Sequence, residues 1–157
     1  MAPETHLVEE YWDHGIGFPV MIRNVEVAKV GGHEVPLIDY RRLEQILIEH
    51  LPGKRGRLTG NELRFIRLHL GKTLAEFGKL FDVTHAGVKR WETRGQDGTG
   101  MNWSTEKDIR LYVLSARRRS PASFVKLYER LADKPTETGP VLALEWKRVR
   151  ASMPATA

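Results

Sequence analysis

The chain contains no cysteine, which excludes disulfides, a thiolate nucleophile, cysteine redox chemistry and any zinc site built on cysteine. It also lacks a long apolar run: no stretch approaches the ~20 residues that a membrane-spanning helix needs. The opening MAPETHLVEEYW is acidic where a secretory leader would be basic and then apolar. These absences lead to the expectation of a cytoplasmic protein with no membrane partner. Aromatic residues are few, at 8%, yet 41% apolar residues in 157 suffice for the core of one ordinary domain or two small ones.

Catalytic signatures are missing too. His6, His14, His33, His50, His69 and His85 show no HExxH or other metal-ligand spacing, and no serine stands in Gly-x-Ser-x-Gly. The expectation is a protein that is not an enzyme and uses no metal or cofactor.

What the chain has is unevenly placed charge. Residues 1–50 carry 4 Lys and Arg against 9 Asp and Glu, whereas residues 51–157 carry 21 against 11, so an acidic half precedes a strongly basic one. A basic module suits a polyanion, although charge alone fits a solvated surface equally well.

Residues 18–37 (FPVMIRNVEVAKVGGHEVPL) are rich in Val and Ile around Gly31-Gly32, which predicts a β-hairpin. From Asp39 the period changes. Asp39 can cap a helix whose Leu43, Ile46, Leu47 and Leu51 share one face. Pro52-Gly53-Lys54-Arg55-Gly56-Arg57 then breaks the pattern, which divides the chain into an acidic hairpin-helix module at 1–52, a helical domain at 58–132 and a partly frayed C-terminal segment at 133–157.

In the basic half helix signals follow in quick succession. Thr59-Gly60-Asn61-Glu62 is a capping box opening a helix with Leu63, Ile66 and Leu70 inward, and Gly71 ends it. Thr73-Leu74-Ala75-Glu76 is a second box, for a short helix with Leu74, Phe77 and Leu80 inward that stops near Asp82. Thr84 is a third cap, and Val88 and Trp91 form the inward pair of the helix that follows. Beyond the polar loop at 95–100, Ser104 is expected to begin a helix with Ile109, Tyr112, Val113 and Ala116 on one side and Arg117-Arg118-Arg119 at its end. Ser120-Pro121 starts another, with Phe124, Leu127, Tyr128 and Leu131 as its stripe. Residues 141–150 read as a strand or a helix, and ASMPATA as a frayed tail.

Three short helices with tight connections match the DNA-reading tri-helical unit. The fold expected is therefore mainly α with a small N-terminal β-hairpin, a helix-turn-helix bundle preceded by an α+β module. Residues 63–92 (LRFIRLHLGKTLAEFGKLFDVTHAGVKRWE) resemble the Cro/C1-type (XRE) helix-turn-helix in Thr73, Phe77, the turn Phe81-Asp82-Val83-Thr84, Val88 and Arg90-Trp91-Glu92. The family resemblance carried by these residues implies that the bundle is lambda-repressor-like. Leu74 stands where many members carry a phosphate-clamping Gln, and Gly78 where Ala is usual. The order Tyr11, Gly15, hairpin, short helix and Leu58-Thr59-Gly60-Asn61-Glu62 is also similar to antitoxins of the MqsA type, whose N-terminal module binds zinc through cysteines that this chain lacks.

The resemblance implies a sequence-specific, duplex-DNA-binding transcriptional regulator. It further implies an autoregulating repressor, or alternatively an antitoxin that binds a toxin through residues 1–51 and represses its own promoter. A third helix in the major groove would present Thr84, His85, Ala86, Lys89, Arg90 and Thr93. Arg90 or Lys89 could donate to guanine and the Ala86 or Thr methyls could meet thymine. Arg90 could instead pair with Glu92 or Glu76, and His85 could contact DNA or sit exposed beside the cap. Thr73 and Thr84 stand at helix N-termini that can hold phosphates. Lys72, Lys79 and Arg94 add charge, while Arg57 and Arg55 either reach the flanking backbone or belong to a solvated linker. Such units usually work as two-fold homodimers on a palindromic operator. Tyr112, Phe124, Tyr128 and Trp146 either build that interface or complete a monomeric core.

Overall fold

The computed structural model describes residues 2–117, 120–135, 138 and 143–149. The fold is mixed α/β and divides into two compact units, Met1–Leu47 with Val141–Ala157, and Ile48–Pro140.

In the first unit, strands β1 (Thr5–Asp13), β2 (Val20–Val30) and β3 (His33–Pro36) form an antiparallel sheet with β2 central. The hairpin expected around Gly31-Gly32 joins β2 to β3. Both glycines have positive φ, +56° and +81°, as the tight two-residue turn demands. β1 was not legible as a strand, because THLVEEYWD leaves all but Asp13 at least partly exposed and has no consistent alternation. Asn24, at φ +55°, sits in the left-handed region within β2. Across it the inward positions change from Val20 and Ile22 to Val25 and Val27, and the second edge of β2 changes partner. Residues 21–23 pair in parallel with β4 (Ala143–Glu145), and residues 27–30 pair with β3.

Within the span 141–150 that the sequence left as strand or helix, the described residues 143–149 hold both, since β4 runs directly into a short helix at Trp146–Val149. Leu144, Trp146 and Val149 are buried, and the Asp39 amide donates to the Val149 carbonyl at 3.3 Å. Trp146 is thereby core of this unit, which removes it from the set of exposed aromatics expected at a dimer interface. Helix α1 (Tyr40–His50) has Asp39 at its start, where Oδ1 accepts from the Arg42 amide at 3.2 Å, and it buries Leu43 and Leu47. The unit boundary falls within α1.

The second unit holds α2 (Gly60–His69), α3 (Leu74–Leu80), α4 (His85–Glu92), α5 (Trp103–Ala116) and α6 (Pro121–Arg130). Both capping boxes form, Thr59 with Glu62 and Thr73 with Glu76, and Thr84 Oγ1 accepts from the Gly87 amide at 3.1 Å. α2 ends at Gly71, φ +68°, where Lys72 N donates to Arg67 O and Gly71 N to Leu68 O, the paired closure of a left-handed helix end. α3 ends similarly on Asp82 at φ +56°, with Val83 N donating to Gly78 O at 2.9 Å.

Several expected details differ. Leu80 is 43% exposed rather than inward, because α3 has only seven residues and its closure turns Phe81 to the inside, 5.1 Å from Phe77 and edge-on to Tyr112 at 5.8 Å. Tyr112 thus packs within its own unit. α5 begins at Trp103, one residue before Ser104, with Asn102 at the cap. Leu127 of α6 and Leu131 at its C-terminal cap are buried against Leu111, whereas Phe124 and Tyr128 remain exposed. Arg118, Arg119 and the tail ASMPATA lie outside the described residues.

Candidate functional site

The segment 52–58, read in the sequence as a charged linker, is fixed by buried ionic contacts. Arg110 is fully buried, and its guanidinium donates to Glu106 Oε1 and to the carbonyls of Pro52, Lys54 and Gly56. Burial lowers the Arg110 pKa, and the Glu106 charge works against that shift. Glu106 also accepts from the Leu58 amide at 2.9 Å and from Arg57 Nε at 2.6 Å. Lys54 Nζ donates to both oxygens of Glu62, each at 2.9 Å. An isolated buried charge is costly, and these groups satisfy one another.

The Arg57 guanidinium is thus engaged within the fold on Glu106. It also donates to the Met101 carbonyl, and its side chain is only 15% exposed. The (i, i+4) pair Glu106 and Arg110 was the available sequence signal, but its partners lie some 50 residues away in the chain. The entry to α2 is sealed as well. Gly60 N donates to Asp97 O and Asn61 N to Gly95 O, and a Cβ on Gly60 would stand 2.6 Å from the Trp91 carbonyl oxygen.

On this base α4 buries Gly87 and Val88 and half-buries Trp91 and Glu92. Its opposite face brings together His85, Ala86, Lys89, Arg90 and Thr93, all exposed, with Thr84 and Arg94 exposed at its two ends. Neither carboxylate that could have neutralised Arg90 pairs with it among the described residues. Glu92 is gripped by Arg67 from α2 at 2.6 and 3.0 Å, and Glu76 accepts from the Thr73 amide at 3.0 Å. The guanidinium of Arg90 makes no ion pair among the described residues.

The remaining expected positions are less uniform. Thr93 Oγ1 donates to the Arg90 carbonyl at 3.0 Å, which leaves its methyl and oxygen lone pairs for a ligand. Thr73 is exposed but its amide and hydroxyl close the capping box. Lys72 is half-buried, its carbonyl accepting from Arg67 at 2.8 Å. Thr84 satisfies one first-turn amide of α4, leaving others for an anion.

Gly78 explains its own departure from alanine: a Cβ there would lie 2.2 Å from the Val83 carbonyl oxygen, so the α3–α4 turn sits closer than alanine permits. Among the described residues no group of three His, Asp or Glu side chains could hold a metal, and no helix is long and apolar enough to cross a membrane. No family model matches the chain, and neither a curated protein nor a solved structure matches it.

Proposed function

We propose that residues 59–94 form a helix-turn-helix and that the protein is a sequence-specific, duplex-DNA-binding regulator, working as an autoregulating repressor. The observation that carries this reading is the carboxylate-free, exposed face of α4, on which Lys89 and Arg90 stand together while Glu92 is turned inward onto Arg67. With α4 in the major groove, Arg90 donates to O6 and N7 of guanine, Lys89 serves as a second donor, and the Ala86 methyl meets thymine. The α4 N-terminus, His85, Lys72, Lys79 and Arg94 hold backbone phosphates, and the clamp absent at Leu74 is replaced by these contacts. A homodimer fits a palindromic operator, with Phe124 and Tyr128 of α6 supplying exposed aromatic surface for it.

Footprinting on the DNA upstream of the protein's own coding sequence tests the reading. A protected palindrome with half-sites about one helical turn apart, ~34 Å, is the outcome expected. Affinity should fall with salt at a logarithmic slope of roughly −0.9 per phosphate neutralised. Salt-independent association would overturn the proposal.

A second reading, an antitoxin holding a toxin through residues 1–51, is favoured by β1. That strand pairs on one side only among the described residues and exposes Glu9 and Glu10, which suits a basic partner. Co-purification of a basic protein that is lost on deleting residues 5–13 is its test.

A further inference from the structure

We propose that a cleft between Lys54-Arg55, the start of α5 and the end of α6 binds a small anion with a flat apolar body, an aromatic carboxylate. The cleft has a volume of about 340 Å³, near the lower end of small-ligand pockets (about 300–1,000 Å³), which suits one or two fused rings.

Its floor is apolar and rigid. Trp103, Leu131 and Pro135 line it, and Trp103 is fixed on two sides. The indole Nε1 donates to the Leu131 carbonyl at 3.1 Å, while the guanidinium carbons of Arg57 and Arg110 lie 5.5 and 5.4 Å from the ring centroid. Those two arginines are themselves locked on Glu106. A ring stacked on Trp103 therefore meets a surface that loses little freedom on binding.

The rim is cationic. Arg55, Arg130 and Lys134 line the cleft together with a single carboxylate, Asp133. Lys54 contributes only its stem, because its ammonium is committed to Glu62. Arg130 Nη2 donates to the Gly53 carbonyl at 2.9 Å, which orients the guanidinium. Arg55 and Lys134 form no ion pair among the described residues. Cations that line the same cleft as apolar side chains favour a ligand with an acid head and a flat body, since a carboxylate accepts charge-assisted donors and rings cover apolar surface. A polyphosphate would satisfy the rim and leave the floor uncovered.

The test is calorimetric titration of the full-length protein with 1-naphthoate, 1-naphthalenemethanol and inorganic phosphate, with no DNA present, so its outcome is independent of the DNA reading. One-to-one binding of 1-naphthoate is expected, tighter than that of the neutral alcohol by about tenfold or more, as charged hydrogen bonds require. Arg55→Glu combined with Lys134→Glu should weaken it by a similar factor, with Arg55→Gln and Lys134→Gln giving smaller losses, while Lys29→Glu on β2 leaves it unchanged. Equal affinity for the alcohol, equal affinity for phosphate, indifference to the charge reversals, or no binding of 1-naphthoate at millimolar concentration would each overturn the proposal.

Discussion

Arg67 on α2 holds Glu92 on α4 through two parallel hydrogen bonds of 2.6 and 3.0 Å, with both side chains about nine-tenths buried. The pair ties the last turn of α4 to α2 and turns the only carboxylate of α4 away from the exposed face. Arg67→Ala strands Glu92, and breaking one side of a buried pair costs about 3–5 kcal/mol. Urea unfolding should show that loss for Arg67→Ala and for Glu92→Ala. The double replacement Arg67→Met with Glu92→Leu should recover most of it; a double mutant as unstable as either single one contradicts this account.

Gly78→Ala separates helix propensity from packing. In an open helix alanine is better than glycine by about 1 kcal/mol. Here the new Cβ would meet the Val83 carbonyl oxygen at 2.2 Å, backbone that cannot swing aside. Overpacking of this kind costs about 1–3 kcal/mol, so Gly78→Ala should lower the denaturation midpoint. A raised midpoint would mean the turn relaxes freely.

Arg90 and Lys79 should behave differently on DNA. Arg90→Ala should cost about 1–3 kcal/mol on the preferred sequence and flatten the preference at one base position, whereas Lys79→Ala should weaken all sequences alike and reduce the salt slope by about one. Competition binding on operator variants distinguishes them. Arg57→Ala, which removes a side chain bound to Glu106, should act on folding rather than on sequence preference.

Tyr40 donates to Asp13 Oδ2 at 2.6 Å, and desolvation followed by this hydrogen bond raises its pKa well above the ordinary tyrosine value, while desolvation followed by the Asp13 charge raises that of Tyr11. Because the folded-state value is raised, the stabilisation is fully present below the unfolded tyrosine value of about 10 and is lost as pH rises through the higher folded-state value. Spectrophotometric titration should find tyrosine absorbance that develops only at strongly alkaline pH. Tyr40→Phe should remove part of that late change and leave Asp13 with the Gly15 amide. An unchanged late phase would assign it to another tyrosine.

The parts of the fold legible in the sequence were those written in adjacent residues. Thr59, Thr73 and Thr84 cap helices through amides three residues on, and Gly31-Gly32 and Gly71 carry conformations that their own lack of a side chain permits. Of the candidate site, the exposed face of α4 followed from the period that sends Val88 inward. β1 was illegible because a half-exposed edge strand has no alternation to read, and Leu80 misled because the short α3 closes before its stripe is complete.

What the sequence by itself determined, then, was the capped starts of α1, α2, α3, α4 and α6, the turn at Gly31-Gly32 and the sign of the charge in each half, since these depend on neighbours within about four residues or on composition alone. Tertiary structure alone decided which charges are available. Arg57, Arg67 and Arg110 look like Arg90 in the sequence, yet the first three are spent on Glu106, Glu92 and backbone carbonyls brought from up to 58 residues away. Only burial makes an ion pair binding in this sense, because a charge removed from water must find its partner, whereas an exposed one need not.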